Sequence, residues 1–318
     1  MKAIKVRAFG APDVLRLEEV PDPVRAAGRV LISVDYSAVL FGDVIVRSGR
    51  HPFPLPYVPG IEVAGRVVEA DDPSLVDRRV VATTPQNRGG YAELAVAEES
   101  GVFVVPDALD LRTALTAFQA GAVALELLAG TGVEAGETVL VTAAAGRVGS
   151  LLVQLAAAAG ARVVAAAHGE AKLAAAAGFG ADLTVDYGEE GWADEVVEAT
   201  GGGVDVVLDA VGGATAARAM DAAATGRGRI GIYGFTSGEW APLDARVIGA
   251  RGLTVVGALG IAFAKPPAEQ RAAAERALEA AASGELRPRV HAEFFLDEAA
   301  RAHTVLEARE NIGAVLLK

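Results

Sequence analysis

From residue 138 to residue 258 the chain alternates short apolar runs with Ala-rich stretches of helical spacing, and this constrains its fold more than any other feature. Strands are predicted at 138–142, 162–166, 182–186, 204–209, 229–233 and 253–258. Helices are predicted between them, from about 148, then at 170–177, 192–199 and 214–224. The runs are apolar throughout rather than alternating with polar residues. Such strands are buried on both faces, so the pattern predicts a parallel sheet covered by helices on each side.

The first third reads differently. Segments at 29–34, 62–68 and 79–82 are short and β-branched, with Pro and Gly clusters at 52–60 and 87–90 between them. That pattern fits a small antiparallel barrel. A helix at 111–128 leads into the α/β region, and a tail follows it, with helices at 268–283 and 298–308 and strands at 290–295 and 313–317. A chain of 318 residues is long enough for two domains. The expected division is a discontinuous barrel domain, 1–120 with 261–318, around an α/β domain, 121–260.

Composition removes several function classes. The net charge of -12 provides no basic stripe for nucleic acid. With no Cys there are no disulfides, no thiol catalysis and no thiolate zinc site, and the four His, at 51, 168, 291 and 303, are scattered. No stretch of eighteen strongly apolar residues stands out, and the N-terminus lacks a basic region leading into an apolar one, so a soluble, cytoplasmic protein is expected.

The sharpest motif is Ala143-Ala144-Ala145-Gly146-Arg147-Val148-Gly149, directly after an apolar strand and at the head of a long apolar helix. In that context a glycine turn can carry a pyrophosphate on the helix N-terminus. Gly146 would let backbone approach phosphate, and Gly149 would let the helix pack on the sheet; Ala143 stands where the usual fingerprint has its first glycine. At the end of the next strand, where an NAD site has an acid for the ribose 2′-hydroxyl, the chain reads Ala166-Ala167-His168-Gly169. A tip without an acid and with Lys172 nearby suits the 2′-phosphate of NADPH. His168 could touch that phosphate or stack on adenine, or be a surface residue, and Lys172 could be a solvated helix residue.

These residues, with Phe9-Gly10-Ala11-Pro12, Pro59-Gly60-Ile61-Glu62, Gly89-Gly90-Tyr91-Ala92-Glu93, Asp209-Ala210-Val211-Gly212-Gly213 and Asn311-Ile312-Gly313, resemble the zinc-free quinone oxidoreductase branch of the medium-chain dehydrogenase/reductase superfamily. The resemblance spans almost the whole chain. It implies a GroES-like β-barrel catalytic domain, a Rossmann doubly wound parallel sheet, a cleft between them for nicotinamide and substrate, and a homodimer joined through the last Rossmann strand. By position it places Lys172 and Tyr187 at the adenosine phosphate, Gly212, Gly234, Phe235 and Leu259 along the cofactor path, and Asn311 in a loop closing over it. Zinc-dependent relatives carry a His where this chain has Ile61, so no metal is expected.

Two departures fall in the implied substrate pocket. The Asn-Pro-x-Asp stretch is replaced by Leu40-Phe41-Gly42-Asp43, which makes that wall apolar, and His51 stands where a Tyr is common. His51 could donate a proton after hydride transfer or could simply cap a loop. Asp43 is read as an anchor for a helix start, or a partner for Arg47, more readily than as a proton donor. The expected activity is hydride transfer from NADPH to a quinone or an α,β-unsaturated carbonyl compound. A specialised enoyl reductase of secondary metabolism, or an NADPH-binding protein with little catalysis, are the alternatives.

Overall fold

A computed structural model describes all residues, 1–318. The chain forms two compact units, one of residues 1–118 with 278–318 and one of residues 119–277. The second crossing therefore falls later than the 260/261 boundary expected, near the end of a helix.

The first unit opens with a hairpin-like pair, β1 (Lys2–Lys5) and β2 (Arg16–Glu19). Then come β3 (Arg29–Val39), α1 (Phe41–Arg47), β4 (Glu62–Glu69), β5 (Arg79–Thr83), β6 (Leu94–Glu98) and β7 (Val102–Val104). The long strand β3 is the spine, pairing antiparallel with β4 and β6 along most of its length. Gly65 makes the β3–β4 approach possible, since a Cβ there would lie 1.9 Å from the Ser33 carbonyl oxygen. No side chain could be accommodated against a backbone atom at that distance.

The helix α2 (Leu111–Thr131) leads into the second unit and is longer than the 111–128 expected. By length and composition it could cross a membrane, against the expectation that no stretch would, but Leu115, Phe118 and Leu127 are fully buried as core residues. The second unit then runs β8 (Thr138–Val141), α3 (Arg147–Ala158), β9 (Arg162–Ala167), α4 (Glu170–Gly178), β10 (Leu183–Asp186), α5 (Trp192–Thr200), β11 (Val206–Asp209), α6 (Gly213–Asp221), β12 (Arg229–Ile232), α7 (Ala245–Arg251), β13 (Thr254–Val256) and α8 (Ala258–Ala264). Its six strands form one parallel sheet in the order β10-β9-β8-β11-β12-β13. The apolar runs are the sheet core: Val139, Leu140, Val163, Val164, Val207 and Leu208 are inaccessible to solvent. The order steps outward from β8 in one direction and restarts at β11 in the other. Between those two strands lies the switch point, where ligands bind against open α/β sheets.

The tail supplies α9 (Pro267–Ser283), β14 (Val290–Phe294), α10 (Ala299–Glu307) and β15 (Ala314–Leu317). It returns to the first unit: β14 pairs parallel with β15, and β15 pairs antiparallel with β3. The result is a seven-stranded sheet, and α10 packs Ala302 and Leu306 into a core shared with Val44, Tyr91 and Phe294. The last strand of the parallel sheet is shorter than the 253–258 expected. Leu253 donates its N–H back to Ile248 of α7, and Ala258 already begins α8.

Candidate active site

The glycine turn connects β8 to α3 at the switch point. Ala143 takes a left-handed backbone, with φ of 49°, and its carbonyl accepts the Gly146 N–H at 2.8 Å. A Cβ on Gly149 would stand 2.2 Å from that same oxygen. Gly149 is thus demanded by the turn itself rather than by the sheet behind it. Gly146 caps α3, and the first-turn N–H groups, of Arg147, Val148 and Gly149, have no carbonyl one turn back within the helix. The twelve-residue helix directs these donors and its positive dipole end toward the space above the turn.

The turn is tied to β11 by a buried carboxylate. Asp209 accepts the Thr142 hydroxyl at 2.7 Å, and the N–H groups of Val211 and Gly212 at 3.2 and 2.9 Å. Burial pushes its pKa up, while these donors act in the opposite sense. Gly212 is left-handed, with φ of 75°, and a Cβ there would meet the Glu239 carbonyl at 2.0 Å. Gly234 similarly lies under the Ala210 carbonyl, and Phe235 follows it. Half-buried Leu259 sits in the first turn of α8, after β13. Gly212, Gly234, Phe235 and Leu259 therefore all follow the carboxyl ends of β11, β12 and β13.

At the tip of β9 the strand itself carries no acid, but one arrives from β10. Asp186 lies 2.9 Å from His168 Nδ1 and accepts the N–H groups of Gly169 and Gly188 at 2.9 and 2.7 Å. Burial works against the ionised form, yet the Gly169 N–H, the His168 ring and the Gly188 N–H together hold its pKa below the ordinary carboxylate value. Gly188 is needed here, because a Cβ would sit 2.4 Å from His168 Nδ1. Lys172 is half-buried in the first turn of α4, and Tyr187 packs on the core beside β10.

In the first unit, Leu40 precedes α1 and Asp43 lies in its first turn. Asp43 accepts the N–H groups of Leu40 and Gly60 at 3.0 and 3.3 Å and the Tyr91 hydroxyl at 3.2 Å. It is 5% exposed, and burial pushes its pKa up to about 7 despite those donors. The Tyr91 hydroxyl is also 3.2 Å from His303 Nε2. His303 is fully buried, and desolvation, with the Arg47 charge nearby, pushes its pKa down to about 3. A neutral His303 can donate Nε2–H to Tyr91 while Tyr91 donates to Asp43, leaving only a lone pair on Nδ1 without a partner. Arg47 does not pair with Asp43 as the four-residue spacing suggested. It pairs with Glu307 and donates to the Gly10 carbonyl. The helix start is what Asp43 serves.

His51 lies in the exposed loop after α1, and the Arg50 guanidinium stands 5.6 Å over the Phe41 ring. Asn311, half-buried before β15, donates to the Gly313 carbonyl at 2.8 Å. The sequence missed the Asp209–Thr142 tie, Asp186 and the Tyr91–His303 pair. The Asp-Ala-Val-Gly-Gly motif was the one signal for the first.

Residues 26–107 match the alcohol dehydrogenase GroES-like domain family, and residues 148–279 match the zinc-binding dehydrogenase family. The chain is 33% identical to a quinone oxidoreductase of Pseudomonas aeruginosa and 31% identical to one of Sus scrofa; these alignments cover 99% of each chain in the first case, and 100% of this chain and 97% of the other in the second. Among solved structures it is similar to Escherichia coli quinone oxidoreductase complexed with NADPH, at 28% identity and a TM-score of 0.92, covering 100% of this chain and 99% of that one. A mycobacterial protein complexed with NADPH gives 34% identity and a TM-score of 0.92 over the same shares. The zinc in the second family's description does not fit the residues present. Ile61 precedes Glu62, Cys is absent, and no group of three or more His, Asp or Glu side chains is placed to hold a metal ion. Fold, motifs and full-length relatives together place the chain in the medium-chain dehydrogenase/reductase superfamily, within its quinone oxidoreductase branch.

Proposed function

We propose that this protein is an NADPH-dependent oxidoreductase that reduces a quinone or an α,β-unsaturated carbonyl compound without a metal. The observation that carries the cofactor reading is the β9 tip. Asp186, brought to the tip from β10, is engaged by His168 and two backbone N–H groups rather than left for a ribose 2′-hydroxyl, and Glu170 lies beyond the tip, at the start of α4. In this reading His168, at the β9 tip, and Lys172, in the first turn of α4, bind the 2′-phosphate, with Tyr187, after β10, as a further contact. The turn from Ala143 through Gly149 supplies backbone donors for the diphosphate. Gly212, Gly234, Phe235 and Leu259, following neighbouring strands, form the path for the nicotinamide end. NADPH bound this way would supply the hydride.

On the substrate side, Leu40 and Phe41 give an apolar wall suited to an uncharged acceptor. Asp43 acts as a positioning residue, holding the N–H groups of Leu40 and Gly60. His51, exposed on its loop, is the proton donor where the acceptor needs protonation on carbon. A homodimer through the free edge of β13 belongs to the same reading, supported by the exposed Ile261 and Phe263 on adjoining α8.

The test mixes purified protein with NADPH or NADH and a panel of quinones and enones, following nicotinamide absorbance. NADPH oxidation by one acceptor class, faster than NADH oxidation, is the expected result. Tight NADPH binding with no oxidation across the panel would leave a cofactor-binding protein instead.

A further inference from the structure

Aromatic residues make up only 5% of the chain, and it has two Trp. Trp192 is used as core and is 4% exposed. Trp240 is 60% exposed, although burying an indole would contribute more to stability than leaving it in water. It is nevertheless held in place. Its ring lies on Phe235 with centroids 4.2 Å apart and planes at 32°. Its carbonyl accepts the Gly213 N–H at 3.3 Å, and the preceding Glu239 carbonyl fills the space over Gly212. The segment between the two rings is pinned by Thr236 and Ser237, whose N–H groups donate to the carbonyls of Ala210 and Val211 at 2.9 and 2.8 Å. One indole face is thus covered by Phe235, and the other is left open on a fixed loop. That loop follows the carboxyl end of β12 and leans on the β11 turn, beside the switch point of the sheet.

We propose that the Phe235–Trp240 pair is an aromatic platform for the acceptor, and that Trp240 selects flat, conjugated, uncharged rings over small open-chain enones. The inference rests on the reductase reading above and deepens it by naming the substrate class. An electron-poor quinone ring opposite an electron-rich indole is a favourable offset stack. The Glu239 carboxylate on the same loop disfavours anionic acceptors.

The experiment uses the full-length protein with NADPH and compares kcat/KM for 9,10-phenanthrenequinone and for methyl vinyl ketone in wild type, Trp240→Ala and Trp240→Phe. The ratio of the two values should fall about tenfold in Trp240→Ala and be largely restored in Trp240→Phe, as expected for the loss and return of one ring stack. A second arm titrates 1,4-naphthoquinone into NADP+-loaded protein by calorimetry, where no hydride is available and no Cys can be alkylated. Affinity should weaken about tenfold in Trp240→Ala. An unchanged ratio together with unchanged calorimetric affinity overturns the platform. So does a Trp240→Ala effect confined to NADPH affinity or to oligomer mass. If wild type oxidises NADPH with neither acceptor, the reductase reading fails, and the calorimetric arm still decides whether the rings are bound.

Discussion

Replacing Gly149 by Ala tests whether the turn after β8 has the geometry that a diphosphate site requires. The added Cβ would lie 2.2 Å from the Ala143 oxygen, 2.9 Å from its carbonyl carbon and 3.0 Å from the Ala144 Cα. All three are backbone atoms, so no rotamer change relieves the overlap, and the turn must move by about 1 Å to restore van der Waals contact. Ala143 already occupies the left-handed region, at about 1–2 kcal/mol for an L-residue. Its carbonyl also receives the Gly146 N–H that closes the turn. Overpacking of this kind costs about 1–3 kcal/mol. For a unit of this size that corresponds to a fall in Tm of about 2–12 °C. The larger consequence is for binding, because a 1 Å displacement takes the first-turn N–H groups of α3 out of line with a diphosphate. Losing one or two charge-assisted hydrogen bonds should raise the NADPH Kd at least about tenfold. Thermal melting with and without NADPH, alongside a fluorescence titration of the nicotinamide, reads both effects. A Gly149→Ala protein with wild-type Tm and wild-type NADPH affinity would refute the assigned geometry.

Three other perturbations probe the remaining assignments. Asp43 has a folded pKa of about 7 against an ordinary 3.8, so the folded state holds its proton more tightly. Its contribution to stability is full below pH 3.8 and is lost as pH rises through about 7, a change of about 4 kcal/mol over the whole window. Urea unfolding at pH 5 and pH 8 should show Asp43→Asn losing about 3 kcal/mol less than wild type between the two; parallel pH slopes would remove Asp43 as the titrating group. Lys172→Ala should weaken NADPH about tenfold while leaving NADH nearly unaffected, from the loss of one charge-assisted phosphate contact, and equal losses would end its assignment. His51→Phe should lower kcat about a hundredfold with an enone, whose carbon must be protonated, and far less with a quinone; full turnover would take His51 out of the reaction.

The parallel sheet was legible because strands buried on both faces are written as unbroken apolar runs, and β8, β9, β10 and β12 lie where those runs do. The turn was legible for a local reason as well: Gly146 and Gly149 answer to atoms within six residues of them. Local reading failed where the element was too short to show a period. The seven-residue helices α7 and α8 were not anticipated. It also misjudged Arg47, whose helix spacing pointed to Asp43 while the fold delivers Glu307, 260 residues away.

Metal independence could be argued from the sequence by itself, since a zinc site needs residue types that Ile61 and the missing Cys do not provide. What only the tertiary structure decided is which polar groups remain free to act. Asp186 is engaged by His168 and two glycine N–H groups, Asp43 is committed to Leu40, Gly60 and Tyr91, and Trp240 lies exposed against Phe235. Each outcome depends on partners brought together by strand order or loop packing, and contacts of that kind leave no periodic trace in the chain that encodes them.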